Sequence, residues 1–171
     1  MLNRTRIQAA LMIGLLVCVL APGAATAQKS SAAETREIES YVLTEAGLSK
    51  YTLATKNLRA HAKELPKDCD SDANGESLAK MVARIDAVPA ARAAITSAGL
   101  TTREYYVFTL SLLHNGLASW ALTQPGGKLP AGTSMANVNF VRAHEAALAK
   151  LHKATDSDSD DCDDRSSEDN S

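Results

Sequence analysis

Three sets of residues in this chain could do chemistry. The first is His114, His144 and Met81. An imidazole nitrogen or a thioether can ligate haem iron or another transition metal, and a helical bundle can present such ligands inward from facing helices. His144 falls on the apolar stripe of the last expected helix, His114 flanks the main stripe of the central one, and Met81 faces the core of the second arm. His61 and His152 also lie in expected helices. The chain has no Cys-x-x-Cys-His for covalent haem attachment and no His-Glu-x-x-His zinc spacing. Without those spacings an inward His or Met is usually a core residue, so haem or metal binding stands as the alternative to a plain core role.

The second set is Asp68, Asp70, Asp72 and Asn74. From Asp70 the loop Asp-Ser-Asp-Ala-Asn-Gly has oxygens at positions 1, 3 and 5 and glycine at 6, the first half of a calcium loop. The second half fails, because Met81 stands where a bidentate Glu belongs and Ser77 where an apolar residue is usual. A weak calcium site is the functional expectation, and a polar loop that caps the next helix is the plain one. The third set is Cys69 and Cys162, each between two acids. In an oxidising compartment they could pair, and so long a closed loop would stabilise by roughly 4–5 kcal/mol in the chain-entropy model. Geometry opposes the pairing in an up-down bundle: seven extended residues reach about 25 Å, against about 33 Å for the last expected helix. An intermolecular bridge or free thiols remain as alternatives.

Catalysis has no visible motif. Nucleophile elbow, phosphate-cradling glycine loop, zinc-protease motif and convergent acid pair are all lacking, so the expectation leans away from an enzyme.

The first 27 residues carry Arg4 and Arg6, an apolar run from Ala9 to Leu20, and the small-residue site Ala25-Thr26-Ala27. This is the pattern of a secretory signal peptide cleaved before Gln28, and it implies an exported chain, periplasmic or secreted. The body, residues 28–155, has 15 Lys and Arg against 12 Asp and Glu, whereas from Asp156 onward eight acids face Arg165 alone. A weakly basic body without a basic, aromatic-studded stripe does not point to nucleic acid. Residues 28–155 suffice for one domain with a single core, and the acidic tail, residues 156–171, has too little apolar surface to fold alone.

The elements that must position these residues are helical. Apolar positions predict a helix over 33–65 that could bend at Gly47, since glycine costs about 1 kcal/mol in a helix interior. A second arm is predicted over 76–87 and, after Pro89, 90–98, with Gly99 as a left-handed cap. A third helix is predicted over 101–124, opened by a Thr101/Glu104 capping box with Leu100 stapled onto Tyr105. After a Pro- and Gly-rich linker a last helix is predicted over 134–155, capped by Ser134 or Asn137. The sum is an all-α four-helix up-down bundle with a kinked second arm.

The third helix is the expected centre. It holds four of the chain's seven aromatic residues, and no Asp, Glu, Lys or Arg lies between Glu104 and Lys128. On a helical wheel Tyr106, Leu110, Leu113, Leu117 and Trp120 fall within about 40° of one line, with Ser111, Asn115 and Ser119 on the far side. That amphipathic division argues against a membrane span, and it assigns the large residues to the core. A mixed face with Phe108 and Leu122, and the seam at His114, become the expected binding surface. The functional expectation is an exported, non-enzymatic bundle that binds an unknown protein or small ligand. No resident cofactor is expected beyond weak calcium or haem.

Overall fold

The computed structural model describes residues 31–65 and 76–153, so the signal-peptide segment, Asp68, Asp70, Asp72, Asn74, Cys69, Cys162 and the acidic tail lie outside the described residues. Among the described residues the regular structure is entirely helical. The elements are α1 (Ala32–Ser40), α2 (Glu45–Arg59), a 3-10 turn (Ala62–Glu64), α3 (Leu78–Asp86), α4 (Pro89–Thr96), α5 (Thr102–Ala121), α6 (Met135–Ala143) and α7 (Glu145–Lys153).

Helix boundaries follow the local chemistry where a cap is explicit. Thr101 accepts from the Glu104 amide and Glu104 reaches back to Thr101, so the capping box opens α5 as expected. Pro89 opens α4 in its first turn, and Gly99 takes φ 79° just beyond that helix. A second capping box, Ser31 and Glu34, opens α1. Glu34 is buried and its other carboxylate oxygen accepts from the Ala79 amide at 3.0 Å, so one side chain serves the N-termini of both α1 and α3.

Two of the expected long helices are broken. The first does not bend at Gly47. It stops at Ser40 and restarts at Glu45, where Thr44 accepts from the Gly47 amide at 3.1 Å. Breaking a helix strands backbone groups, and side chains from elsewhere take them up. Ser111 donates to the Ile38 carbonyl at 2.9 Å. Asn137 accepts from the Leu43 amide at 3.1 Å and donates to the Tyr41 carbonyl at 2.7 Å. Asn137 is therefore a strut between α6 and the 41–44 connection and not a helix cap, while Ser134 takes the N-cap position of α6 without a side-chain hydrogen bond. The last expected helix is interrupted at His144, which leaves the helical conformation at φ −108° and separates α6 from α7. α5 also ends earlier than 124, at Ala121.

The core has two lobes. One gathers Ala54, Leu58, Ile85, Ala91, Ala94, Ile95, Ala98 and Leu100 from α2, α3, α4 and the connection after α4. The other gathers Leu43, Leu48, Tyr51, Phe108, Leu112, Leu148 and Leu151 from the 41–44 connection, α2, α5 and α7. Tyr105 packs against both, and rings run through the joint. Tyr51 stacks on Tyr105 at 5.1 Å and on Phe108 at 5.0 Å, while Tyr41 meets Phe108 edge-on at 6.0 Å. α5 touches α1, α2, α3, α4 and α6, so it is the hub that the sequence suggests.

Gly47 has a packing role. A Cβ there would lie 2.8 Å from Cε2 of Phe108 and 3.2 Å from the Thr44 hydroxyl. Phe108 is fully buried and cannot swing aside. An exposed helical Gly→Ala change gains up to about 1 kcal/mol, but Gly47→Ala is expected to lose about 1–3 kcal/mol by overpacking. Urea melts of the two proteins check this, and an unchanged or higher midpoint would refute it.

Two titrations bracket the stability. Hydrogen bonds from the Thr101 amide and hydroxyl hold the Glu104 carboxyl below its ordinary 4.5. A lowered folded value means that this contribution is present above pH 4.5 and is lost as pH falls through the folded value. Burial, then the neighbouring Tyr51, pushes the Tyr105 phenol well above its ordinary 10.0. A raised folded value means full stability below pH 10 and a decline above it, because the unfolded chain ionises first. Thermal melts should show an alkaline decline that is smaller in Tyr105→Phe, and an equal decline in both proteins would contradict the assignment.

Candidate functional site

α5 is turned by about half a revolution from the orientation that its apolar pattern suggests. Val107, Phe108, Ser111, Leu112, Asn115 and Ala118 are buried, whereas Leu113, Leu117 and Trp120 are 57%, 58% and 63% exposed. Tyr106 and Leu110, on the same line, are half-buried. The face with Phe108, expected to be the mixed binding face, is the core. The exposed part of the large apolar stripe is Leu113, Leu117 and Trp120, while Tyr106 packs against the α2–α3–α4 lobe and meets Tyr105 edge-on.

Close approach explains the reversal. α6 packs more extensively on α5 than any other helix, and the end of α1 comes near enough for Ser111 to reach the Ile38 carbonyl. Small side chains at Ser111, Asn115 and Ala118 permit this contact, and leucines in their place would hold the backbones apart. Asn115 donates to the Ser111 carbonyl at 2.8 Å, and its Oδ1 is buried with no hydrogen-bond partner. Phe108, Val107 and Leu112 on the same side supply the apolar burial. In exchange, each large side chain left in water forgoes about 1.5–3 kcal/mol of transfer free energy.

The stripe has defined margins. On one side Arg142 donates from Nε to the Ser119 hydroxyl at 2.9 Å and from its terminal nitrogen to the Ser119 carbonyl at 3.3 Å. On the other, Nε2 of His114 lies 3.1 Å from the Thr133 hydroxyl. α5 itself contributes no charge to this face, because no Asp, Glu, Lys or Arg occurs between Glu104 and Lys128. Single exposed apolar residues such as Val42 and Leu53 are ordinary, but a contiguous rimmed row is the feature that marks an interaction surface.

The two histidines expected as ligands have hydrogen-bond partners within the chain. His144 has Nδ1 at 2.8 Å from the Phe140 carbonyl and Nε2 at 2.9 Å from a Glu45 carboxylate oxygen, and its ring lies 4.2 Å from that of Phe140. His114 is held by Thr133, and Met81 is half-buried on α3. His61 lies against Glu64 at 3.1 Å. Among the described residues no group of three or more His, Cys, Asp and Glu is placed to hold a metal ion. No described helix is long and apolar enough to cross a membrane.

One open groove of about 270 Å³ lies between α2 and α7, with Leu48, Leu148 and Leu151 in its lining and Lys56, Arg59 and Lys150 around them. Arg59 donates to the Leu151 carbonyl, and its Nε is buried with no hydrogen-bond partner. The volume falls just below the range of about 300–1,000 Å³ usual for small-molecule sites.

The periodicity of large apolar residues finds the stripe but assigns it to the wrong side. The overlooked signal is the row of small residues at 111, 115 and 118, spaced for helix-to-helix approach. Substitutions separate the two orientations. Leu113→Gln and Leu117→Gln are expected to change unfolding free energy by no more than about 0.5 kcal/mol, as exposed positions do. Ser111→Leu is expected to cost about 1–3 kcal/mol by overpacking. Chemical denaturation of the three variants checks this, and the opposite pattern would return the large stripe to the core. No protein-family model matches the chain, and comparisons with curated proteins and with solved structures find no match either.

Proposed function

We propose that this is an exported, non-enzymatic helical-bundle protein that works by docking a polypeptide on the α5 stripe. Export rests on the amino-terminal pattern of two arginines, an apolar run and Ala25-Thr26-Ala27 before Gln28. The bundle description takes α1 with α2, α3 with α4, α5, and α6 with α7 as four arms alternating in direction. One observation carries the docking role: Leu113, Leu117 and Trp120 stand exposed in a row on the best-anchored helix of the fold. Tryptophan and leucine at the surface supply apolar area, and a rigid, many-sided anchorage lets a partner bind without first ordering the site.

The stripe suits a protein better than a free small molecule because it is convex and long. A helix presents about 1.5 Å per residue, so the row from Tyr106 to Trp120 extends about 21 Å. A partner helix laid along it would find anchors at intervals of three and four residues, the side-by-side mode of a coiled-coil zipper.

Site-specific photo-crosslinking tests the docking role. A benzophenone side chain is placed at Leu117, and at exposed Lys80 on α3 as control, in the chain produced with its leader and recovered from the exported fraction. Light-dependent covalent adducts to a polypeptide are expected at 117 and not at 80. Equal or absent adduct formation at the two positions would end the proposal.

A further inference from the structure

We propose that the polypeptide covering the α5 stripe is a second copy of this chain, with the two α5 helices laid antiparallel. This rests on the docking role above and names its partner. Leu110, Leu113, Leu117 and Trp120 follow one another at steps of 3, 4 and 3 residues, the first half-buried and the others exposed. That is the spacing of the a and d positions of a two-helix coiled coil, narrower than the apolar face a helix uses to pack on a globular core. A seam of this kind is complementary to another helix carrying the same repeat. The same chain supplies one.

A second observation is independent of the row itself. Gly116 lies mid-helix beside Leu113, Leu117 and Trp120, and a Cβ added there would meet nothing within 4 Å. No contact inside the chain therefore asks for a glycine, in contrast to Gly47, which makes room for Phe108. On an open face, a missing side chain lets an outside backbone approach closely.

Charge does not oppose self-association, and the helix dipole sets its direction. The α5 seam carries no Asp, Glu, Lys or Arg between Glu104 and Lys128, so the two seams meet without like-charge repulsion along their length. Charges occur at the ends, where Arg103 is paired with Glu37 on α1. Parallel helices would align the macrodipoles, whereas antiparallel helices oppose them, which is the favourable arrangement. With the two-fold axis crossing the stripe at the level of residue 115, Leu113 meets Leu117 of the second copy and Leu110 meets Trp120, so the bulkiest exposed residue faces the half-buried one.

The area predicts a modest affinity. A strip about 21 Å long and about one helix, roughly 10 Å, wide covers roughly 200 Å² in plan per copy, well under the 800 Å² or so of a standard interface. So small an interface associates weakly, and the dimer should come and go with concentration.

The test is sedimentation velocity of the chain recovered from the exported fraction, from about 1 to about 300 µM, under reducing conditions that remove any bridge through Cys69 or Cys162. The expected result is a reversible monomer–dimer equilibrium that Leu117→Asp weakens at least tenfold, with the helical circular dichroism spectrum unchanged because position 117 is exposed. The benzophenone at 117 should then form an adduct of twice the monomer mass, joined within residues 104–128 of the second copy, at Leu113. A chain that stays monomeric throughout, or a dimer untouched by Leu117→Asp, overturns the second-copy assignment. Adducts to a different protein overturn it while leaving the docking role standing, and no adducts remove both. Binding of the monomer to phosphatidylcholine vesicles, abolished by Leu117→Asp, would overturn it in favour of a lipid surface.

Discussion

Phe108 seated against Gly47 is the contact on which the rest of the fold depends. The ring enters where α2 has no side chain, stacks on Tyr51 and receives the edge of Tyr41. Through Tyr51 the stack continues to Tyr105, which joins the α2–α3–α4 lobe of the core to the α2–α5–α7 lobe. In a chain with few aromatic residues, concentrating most of them at one joint provides large buried area with few side chains. It also fixes the rotation of α5. Once Phe108 points at Gly47, the 100° step per residue turns Leu113 and Leu117 away from the core.

The polar contacts follow from that rotation. With Ser111 and Asn115 inward, α1 can end close to α5, and the Ser111 hydroxyl serves the Ile38 carbonyl. Asn137 does the same for the 41–44 connection, supplying one donor and one acceptor to a backbone stretch that has left the helix. Each bond has a net worth of about 1 kcal/mol, but leaving the buried group unpaired costs about 1–3 kcal/mol. The break between α1 and α2 is therefore a shared property of three segments distant in sequence.

This division explains how much could be read from the residues alone. Ends governed by neighbouring residues were legible, as at Thr101 with Glu104, at Pro89 and at Gly99. So was the all-helical class, since helical periodicity runs through the whole body. Interruptions governed by distant residues were not, because nothing near Tyr41 announces that Asn137 will hold it. His144 likewise looks helical in sequence, yet it ends α6 with its ring bridging Phe140 and Glu45. The orientation of α5 was hidden for a different reason. Apolar pattern ranks faces by the size of their residues, whereas close helix packing selects the face with small ones, and on α5 the two criteria point opposite ways.

A helix with large apolar residues outside and small polar ones inside resists explanation as an ordinary core element. Placing the large face inward would bury three more big side chains, yet it would set Ser111 and Asn115 in water and leave Ile38 without its hydroxyl donor. It would also remove Phe108 from Tyr51 and Gly47. The present arrangement keeps the close helix contacts and displays the heptad-spaced row. Because no charge marks that row, a partner's register must come from shape, with Trp120 and the gap at Gly116 as its main irregularities. Shape-led recognition of this kind loses less with rising salt than recognition through ion pairs, since screening acts on charges and leaves apolar burial in place.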